Sequence, residues 1–255
     1  MRLALLSDIH SNRQAFDACM EHARGQGAEQ FALLGDLVGY GADPGYVVQQ
    51  AMALATQGAI VIGGNHDAMA VADAPPGGHD SQGALGVPWT RGQLSPDERG
   101  FLAGLPLVAQ VQDKILLVHA SADAPEQWRY VDNETVAAQC LEAAVGLARA
   151  SHVFCGHVHH QTLYFRGTGR RLMRFAPQAG VAIPVPAYRH WVATVGSVGQ
   201  PRDGDMRAMY ALLDTERWQL RFERVPYAFA EAAAAIRATG GALPEAFARR
   251  LETGR

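Results

Sequence analysis

MRLALLSDIHSN, residues 1–12, decides the reading of this chain: a largely apolar run at 2–6 leads directly into Asp8 and His10. Similar short runs recur at 31–34, 59–62, 114–118 and 152–155. Each is followed by polar residues: Gly35-Asp36, then Gly64-Asn65-His66-Asp67, then His119, then Gly156-His157-Val158-His159. Short continuous apolar runs suit strands covered on both faces. Between the early ones lie helical patterns. Residues 12–25 place Ala15, Phe16, Cys19, Met20 and Ala23 at helical spacing, and 44–57 follow Asp43 as a cap, with Pro44 in the first turn and Gly58 as a stop. Alternating strands and helices imply parallel pairing through right-handed crossovers. The polar blocks should then emerge together at the carboxyl ends of the strands, where α/β folds bind their ligands.

The rhythm breaks at residues 73–93, where Pro75, Pro76, Gly77, Gly78, Gly83, Gly86 and Pro88 predict a long loop placed as a lid. Ser95 to Glu98 then has the pattern of a capping box, and Asp132 or Asn133 should open a helix running to about residue 150. After His160 the runs at 162–165, 172–175, 191–195, 208–213 and 219–224 predict an antiparallel continuation that forms a second sheet. Residues 227–255 should be a helical tail, with helices at 229–237 and 244–251. Neither an internal repeat nor a linker interrupts this order, so residues 1–255 are expected to form a single domain.

Composition narrows the function. Hydrophobic residues make up 48% and charged residues 18%, and the net charge is −3. Such a balance gives no general attraction to nucleic acid or anionic membrane. With no basic, aromatic-rich stripe, a nucleic-acid partner is not expected. No apolar stretch approaches the roughly 20 residues of a membrane span, and the opening segment lacks the layout of a signal peptide, so a cytoplasmic location is expected. Cys19, Cys140 and Cys155 form no CxxC pair. Cys155, inside the run before His157, should be a buried apolar residue rather than a metal ligand.

The blocks carry the chemistry. Asp8 and His10 are two residues apart, so in an extended segment they point to the same side, as do His157 and His159. Asp36 can bridge two ions through its two oxygens, Asn65 offers a neutral carbonyl oxygen, and His119 adds a nitrogen donor. Mixed nitrogen and oxygen ligands favour manganese, iron, zinc, nickel or cobalt over calcium or magnesium. Paired metals of this kind are used chiefly to attack phosphorus esters. His22, His79, His152 and His190, outside the blocks, are expected to be structural or surface residues.

In their order, DIH, GD, GNHD, a strand-end His and GHVH resemble the calcineurin-like metallophosphoesterase superfamily. SDIHSN, GDLVGYGADP, VHAS and GSVGQPRDGD resemble its small prokaryotic phosphoesterases, the phosphodiesterase and dinucleoside polyphosphate hydrolase-like branch. The resemblance implies an α/β fold, a four-layer α/β/β/α sandwich with two mixed sheets. It implies two divalent or mixed-valence ions, manganese or iron preferred. Asp8, His10, Asp36 and His159 would hold one ion, and Asp36, Asn65, His119 and His157 the other. Asp36 and His66 would be catalytic, His66 acting at the leaving group or a phosphoryl oxygen while a metal-bridging hydroxide attacks phosphorus in line.

The superfamily's protein Ser/Thr phosphatases carry GDxVDRG, where this chain has Gly39 and Tyr40 in place of the Asp and Arg. The phosphatase Asp that partners the catalytic histidine is therefore absent, which argues against phosphoprotein substrates and leaves Asp67 as a candidate to orient His66. Asn12, Arg13 and Arg202 are the candidate substrate contacts. Tyr40 is a candidate to stack on a base, whereas Trp89 is better read as packing. The expected substrate is a small, nucleotide-like phosphodiester, pyrophosphate or phosphomonoester. A broad phosphomonoesterase and a non-catalytic scaffold with the same fold remain the alternatives, and the oligomeric state stays open.

Overall fold

The computed structural model describes residues 1–72, 82–167 and 171–255. The opening alternates β1 (Arg2–Leu6), α1 (Arg13–Gly25), β2 (Gln30–Leu34), α2 (Pro44–Thr56) and β3 (Ile60–Ile62). Three short helices follow, α3 (Asn65–Val71), α4 (Val87–Gln93) and α5 (Pro96–Ala103), and then β4 (Val108–Val111) and β5 (Ile115–Val118). Next come α6 (Glu134–Ala148), β6 (His152–Cys155), β7 (Gln161–Arg166), β8 (Leu172–Phe175), β9 (Ala182–Pro184), β10 (Trp191–Val195), β11 (Ala208–Asp214) and β12 (Gln219–Val225). The chain closes with α7 (Phe229–Arg237) and α8 (Glu245–Thr253).

Local chemistry explains the helix starts. Asn12 caps α1, its Oδ1 accepting from the Ala15 amide at 3.1 Å, and the stripe Ala15, Phe16, Cys19, Met20 and Ala23 is buried. Ser95 and Glu98 form the expected capping box on α5. Asn133, the second of the two expected caps, accepts from the Thr135 and Val136 amides at the start of α6. Asp43 makes no side-chain capping bond, so α2 begins on the preset φ of Pro44 alone.

Two six-stranded sheets are formed among the described residues, ordered β3-β2-β1-β11-β12-β9 and β4-β5-β6-β10-β7-β8. Both are mixed. β1, β2 and β3 are mutually parallel neighbours in the first, as are β5, β6 and β10 in the second. The late strands therefore do not make a sheet of their own, as the sequence suggested. β11, β12 and β9 extend the first sheet from β1 through successive antiparallel pairings, and β7 and β8 extend the second from β10 in the same way. Pairing at such sequence separation leaves no local signature.

The period of two along each strand divides the core. On β1, Leu3 and Leu5 face the layer between the sheets, while Ala4 and Leu6 face α1 and α2. On β5, Ile115 and Leu117 join the same central layer and Leu116 and Val118 pack under α6. Helices thus cover the outer faces of two facing sheets, a four-layer α/β/β/α sandwich. Cys155 belongs to the α6 side with Cys140, and Cys19 lies in α1; all three thiols are buried, and burial pushes them up.

Of the expected lid at 73–93, residues 73–81 lie outside the described residues, as does His79. The remainder is not a loop: a 3-10 turn at Gln82–Gly86 runs into α4, because Pro88 falls in the first turn, where a missing N–H costs nothing. The tail forms α7 and α8, which enclose a small cluster with Tyr40 and the partly buried Trp89. Among the described residues no helix is long and apolar enough to cross a membrane.

Candidate metal centre

The carboxyl ends of the parallel strands in both sheets converge. β1 leads to Asp8 and His10, β2 to Asp36, β3 to Asn65 and His66, β5 to His119, β6 to His157 and His159, and β10 to residues 196–202. Backbone hydrogen bonds lace these ends together. The Asp8, His10 and Ser11 amides donate to the carbonyls of Gly35, Asp36 and Leu37, and the Val198 and Gly199 amides to those of Ser7 and Asp8. The Gly156 amide donates to the His119 carbonyl across the second sheet.

Asp8 and His10 do meet, but not because the strand continues. β1 has ended, and Asp8 and His10 sit at φ 54° and 50°. Asp36, His157 and His159 likewise adopt φ 52°, 66° and 57°. Left-handed backbone at non-glycine residues costs on the order of 1 kcal/mol each or more. Its concentration here, rather than a continued strand, is what turns these side chains inward.

The side chains form three buried groups: Asp8, His10 and His159; His10, Asp36 and His66; and Asp36, His119 and His157. Asp36 Oδ2 lies 3.7 Å from His10 Nε2 and 3.4 Å from His119 Nε2. Asp8 Oδ1 lies 3.1 Å from His159 Nε2 and 3.7 Å from His10 Nε2. Asn65, half-buried, brings its Oδ1 to 3.3 Å from His119 Nε2. The other carboxylate oxygens are held by backbone: Asp8 Oδ2 accepts from the His157 amide at 2.9 Å and Asp36 Oδ1 from the His66 amide at 2.8 Å.

Imidazole orientation is set from behind. His10 Nδ1 donates to the Val38 carbonyl at 3.1 Å, His119 Nδ1 to that of Leu34 at 2.7 Å and His159 Nδ1 to that of Gln200 at 2.6 Å. Those bonds place the ring proton on Nδ1 and turn Nε2 inward, the arrangement that metal-binding histidines use. Burial holds His10 and His159 below the usual imidazole range, so neither carries a second proton at neutral pH. Their Nε2 lone pairs nonetheless face each other at 3.1 Å, and Asp8 Oδ1 is buried without a hydrogen bond. Electron pairs converging in this way fit a cation between them.

Burial also opposes charge on Asp8 and Asp36, yet the surrounding imidazoles, His159 for Asp8 and His119 for Asp36, outweigh it and hold both carboxyls low. Burial works against a charged His119 too, but Asp36 prevails and pushes it up to about 10. A proton on His119 thus supplies positive charge that a bound cation would supply instead. His157 is pushed down to about 3 by burial and His119.

His66 differs from these. Burial holds it at about 4, its Nδ1 is buried without a partner, and its ring lies against Tyr40 and His10, with centroids 4.6 and 5.0 Å away. Asp67 does not orient it: its Oδ1 accepts from the Val38 amide at 3.1 Å and its Oδ2 from the Gly64 amide at 3.0 Å. A Cβ on Gly39 would come within 2.6 Å of His66 Nδ1.

Among the expected substrate contacts, Arg202 lies beside Tyr40 and Gln200. It is half-buried, and its Nη2 lies 3.3 Å from Tyr40 Oη and 2.9 Å from Gln200 Oε1. Asn12 is not available, being buried as the α1 cap and donating from Nδ2 to the Gly199 carbonyl at 2.8 Å. Arg13 points away, 4.4 Å over the Tyr46 ring and 3.7 Å from Asp17. Tyr40 is buried and packs on His66 rather than offering an open face. His22 bonds Tyr210 Oη and His152 the Val185 carbonyl, both structural as expected. Sequence reading passed over Trp128 and Tyr130, whose rings touch His119 and His157. The available signal was two aromatics in a short polar segment shortly after the His119 strand.

Residues 1–217 match the calcineurin-like phosphoesterase superfamily domain. The chain belongs to that superfamily. A metallophosphoesterase from Sphaerobacter thermophilus is similar over 100% of both chains, with 31% identity and a TM-score of 0.86. A hypothetical protein from Pyrococcus horikoshii OT3 shares the fold at 20% identity, with a TM-score of 0.75 over 100% of this chain and 98% of its own. An uncharacterized protein of Methanocaldococcus jannaschii is 28% identical over 99% of this chain and 98% of its own length. The superfamily is one of metal-dependent phosphoesterases, and the buried Asp and His groups of this chain are able to hold metal.

Proposed function

We propose that this calcineurin-like phosphoesterase is a binuclear-metal hydrolase of phosphodiester, pyrophosphate or phosphomonoester bonds in small, nucleotide-like molecules. The observation that carries the reading is the pairing of two ligand groups through Asp36, each completed by imidazoles turned inward by backbone carbonyls. Asp8, His10, Asp36 and His159 would hold one ion, and Asp36, Asn65, His119 and His157 the other. Manganese or iron suits this mixture of nitrogen and oxygen donors, with zinc, nickel or cobalt as alternatives. Bound there, such ions supply Lewis acidity toward the phosphoryl oxygens and a water activated for attack.

The chain's own residues do the rest. With nothing accepting at Nδ1, the single proton of neutral His66 is favoured on Nε2, from which it can stabilise charge on the departing or a phosphoryl oxygen. Arg202, fixed by Gln200 and Tyr40, supplies a cation at the rim for the remaining phosphate charge.

The test is hydrolysis of bis-p-nitrophenyl phosphate and p-nitrophenyl phosphate after chelation and Mn²⁺ add-back. Turnover of at least one should return with the metal. Asp36→Asn and His66→Ala should each lower kcat by about 10² or more. Metal uptake without turnover of either ester would reject the enzyme reading, and full activity in either variant would reject the assigned roles.

A further inference from the structure

Residues 120–133, which lead from His119 into α6, contribute none of the proposed ligands, yet they lay two aromatic rings on them. Tyr130 lies face to face with His157, with centroids 4.1 Å apart and planes 21° apart, while 51% of the residue stays exposed. Trp128 meets His119 edge-on at 5.9 Å and is half-buried. Holding them there strains the backbone: Trp128 is left-handed, at φ 53°, in a conformation sparse for a bulky side chain.

The strain is fixed from both sides. Arg129 pairs with Asp123 and donates to Gln139 Oε1 at 2.6 Å, and Asp123 in turn accepts from Ser121. Val131, buried, ends the segment, and its carbonyl accepts from Tyr164 Oη at 3.4 Å. A ring braced on one face and open to solvent elsewhere loses little freedom when another ring stacks on it.

We infer that Tyr130 is a stacking platform for a flat ring carried by the phosphorylated substrate, so that the site selects nucleotides over phosphates without a base. The inference rests on the phosphoesterase reading above and adds the group that selects its substrate. Stacking of a base on an aromatic side chain is worth about tenfold in binding, and often more.

The test compares adenosine 5′-monophosphate with ribose 5-phosphate, which differ only in the base, as competitors of bis-p-nitrophenyl phosphate hydrolysis by the Mn²⁺-loaded protein. The nucleotide should bind about tenfold tighter in the wild type. Tyr130→Ala and Tyr130→Leu should abolish that advantage and leave the ribose 5-phosphate constant unchanged, and Tyr130→Phe should keep it. Turnover with equal constants for the two competitors overturns the platform and leaves the phosphoesterase reading standing. A Tyr130→Ala variant that weakens both ligands equally also overturns it, because the ring then only supports His157. Absence of any Mn²⁺-restored turnover overturns both readings.

Discussion

His66 stands at the cluster with no carboxylate behind its Nδ1, and the residue closest to that gap is a glycine. Gly39, at φ 93°, brings its backbone so near that a Cβ would reach 2.6 Å from Nδ1 and 3.0 Å from Cγ. The ring is instead held by contact with Tyr40 and His10. Gly39→Ala should therefore push the ring out of place. Misplacement of about 1 Å at a reacting group costs about 10² in rate. Gly58 provides the control, since it has nearly the same φ, 92°, and nothing within 4 Å of its would-be Cβ. Both alanine variants should lose stability on the order of 1 kcal/mol from backbone strain alone, but only Gly39→Ala should lose kcat. Equal kcat in the two variants, with thermal melts to confirm folding, would show that the close approach to His66 does not matter. Asn12 carries a related lesson: at a helix start beside a site, a polar side chain has backbone donors to satisfy before it can serve a ligand.

At the scale of elements, the apolar runs that precede polar blocks were legible as strands because continuous burial leaves a pattern in sequence; β1, β6, β8, β10 and α7 have the bounds read from it. The residues that gather at the cluster were legible for the same reason, since each follows a strand end. The means by which Asp8 and His10 converge were not legible, because left-handed backbone at non-glycine residues is imposed by the lacing of neighbouring loops rather than by local propensity. β4 and β9 escaped notice as short edge strands. The link between the C-terminal helices and the site is tertiary as well. Phe247 of α8 meets the Tyr40 ring edge-on at 4.9 Å, and Tyr40 in turn supports His66. Phe247 is fully buried, so Phe247→Ala should cost about 3 kcal/mol or more through the cavity it leaves. The same variant should lower kcat, because Tyr40 loses its backing. Denaturant unfolding and steady-state kinetics read the two effects separately, and a stability loss with unchanged kcat would confine α8 to a structural role.

The whole molecule closes two sheets over a central apolar layer and gathers a cluster of buried Asp and His side chains at the carboxyl ends of the parallel strands, which makes the folded state sensitive to acid. The cleanest reporter lies away from the metal-binding groups. His152 opens β6 fully buried, with Nε2 donating to the Val185 carbonyl at 2.9 Å and Nδ1 accepting from Ser151 Oγ at 2.9 Å. Both nitrogens are satisfied in the neutral form, and the Trp218 ring lies against it at 4.5 Å. Burial accordingly pulls its pKa from 6.5 down to about 4. The native pKa lies below the unfolded one, so between those values the unfolded chain binds the proton that the native state refuses. The contribution of His152 is fully present above pH 6.5 and is lost as pH falls toward about 4, amounting to roughly 3 kcal/mol. In His152→Gln the decline in unfolding free energy between pH 7 and pH 4 should be shallower than in the wild type by about that amount. Urea titrations across this range, run on both proteins under the same metal conditions, make the comparison. Parallel curves for the two proteins would mean that the acid sensitivity resides elsewhere, in the imidazoles of the metal centre.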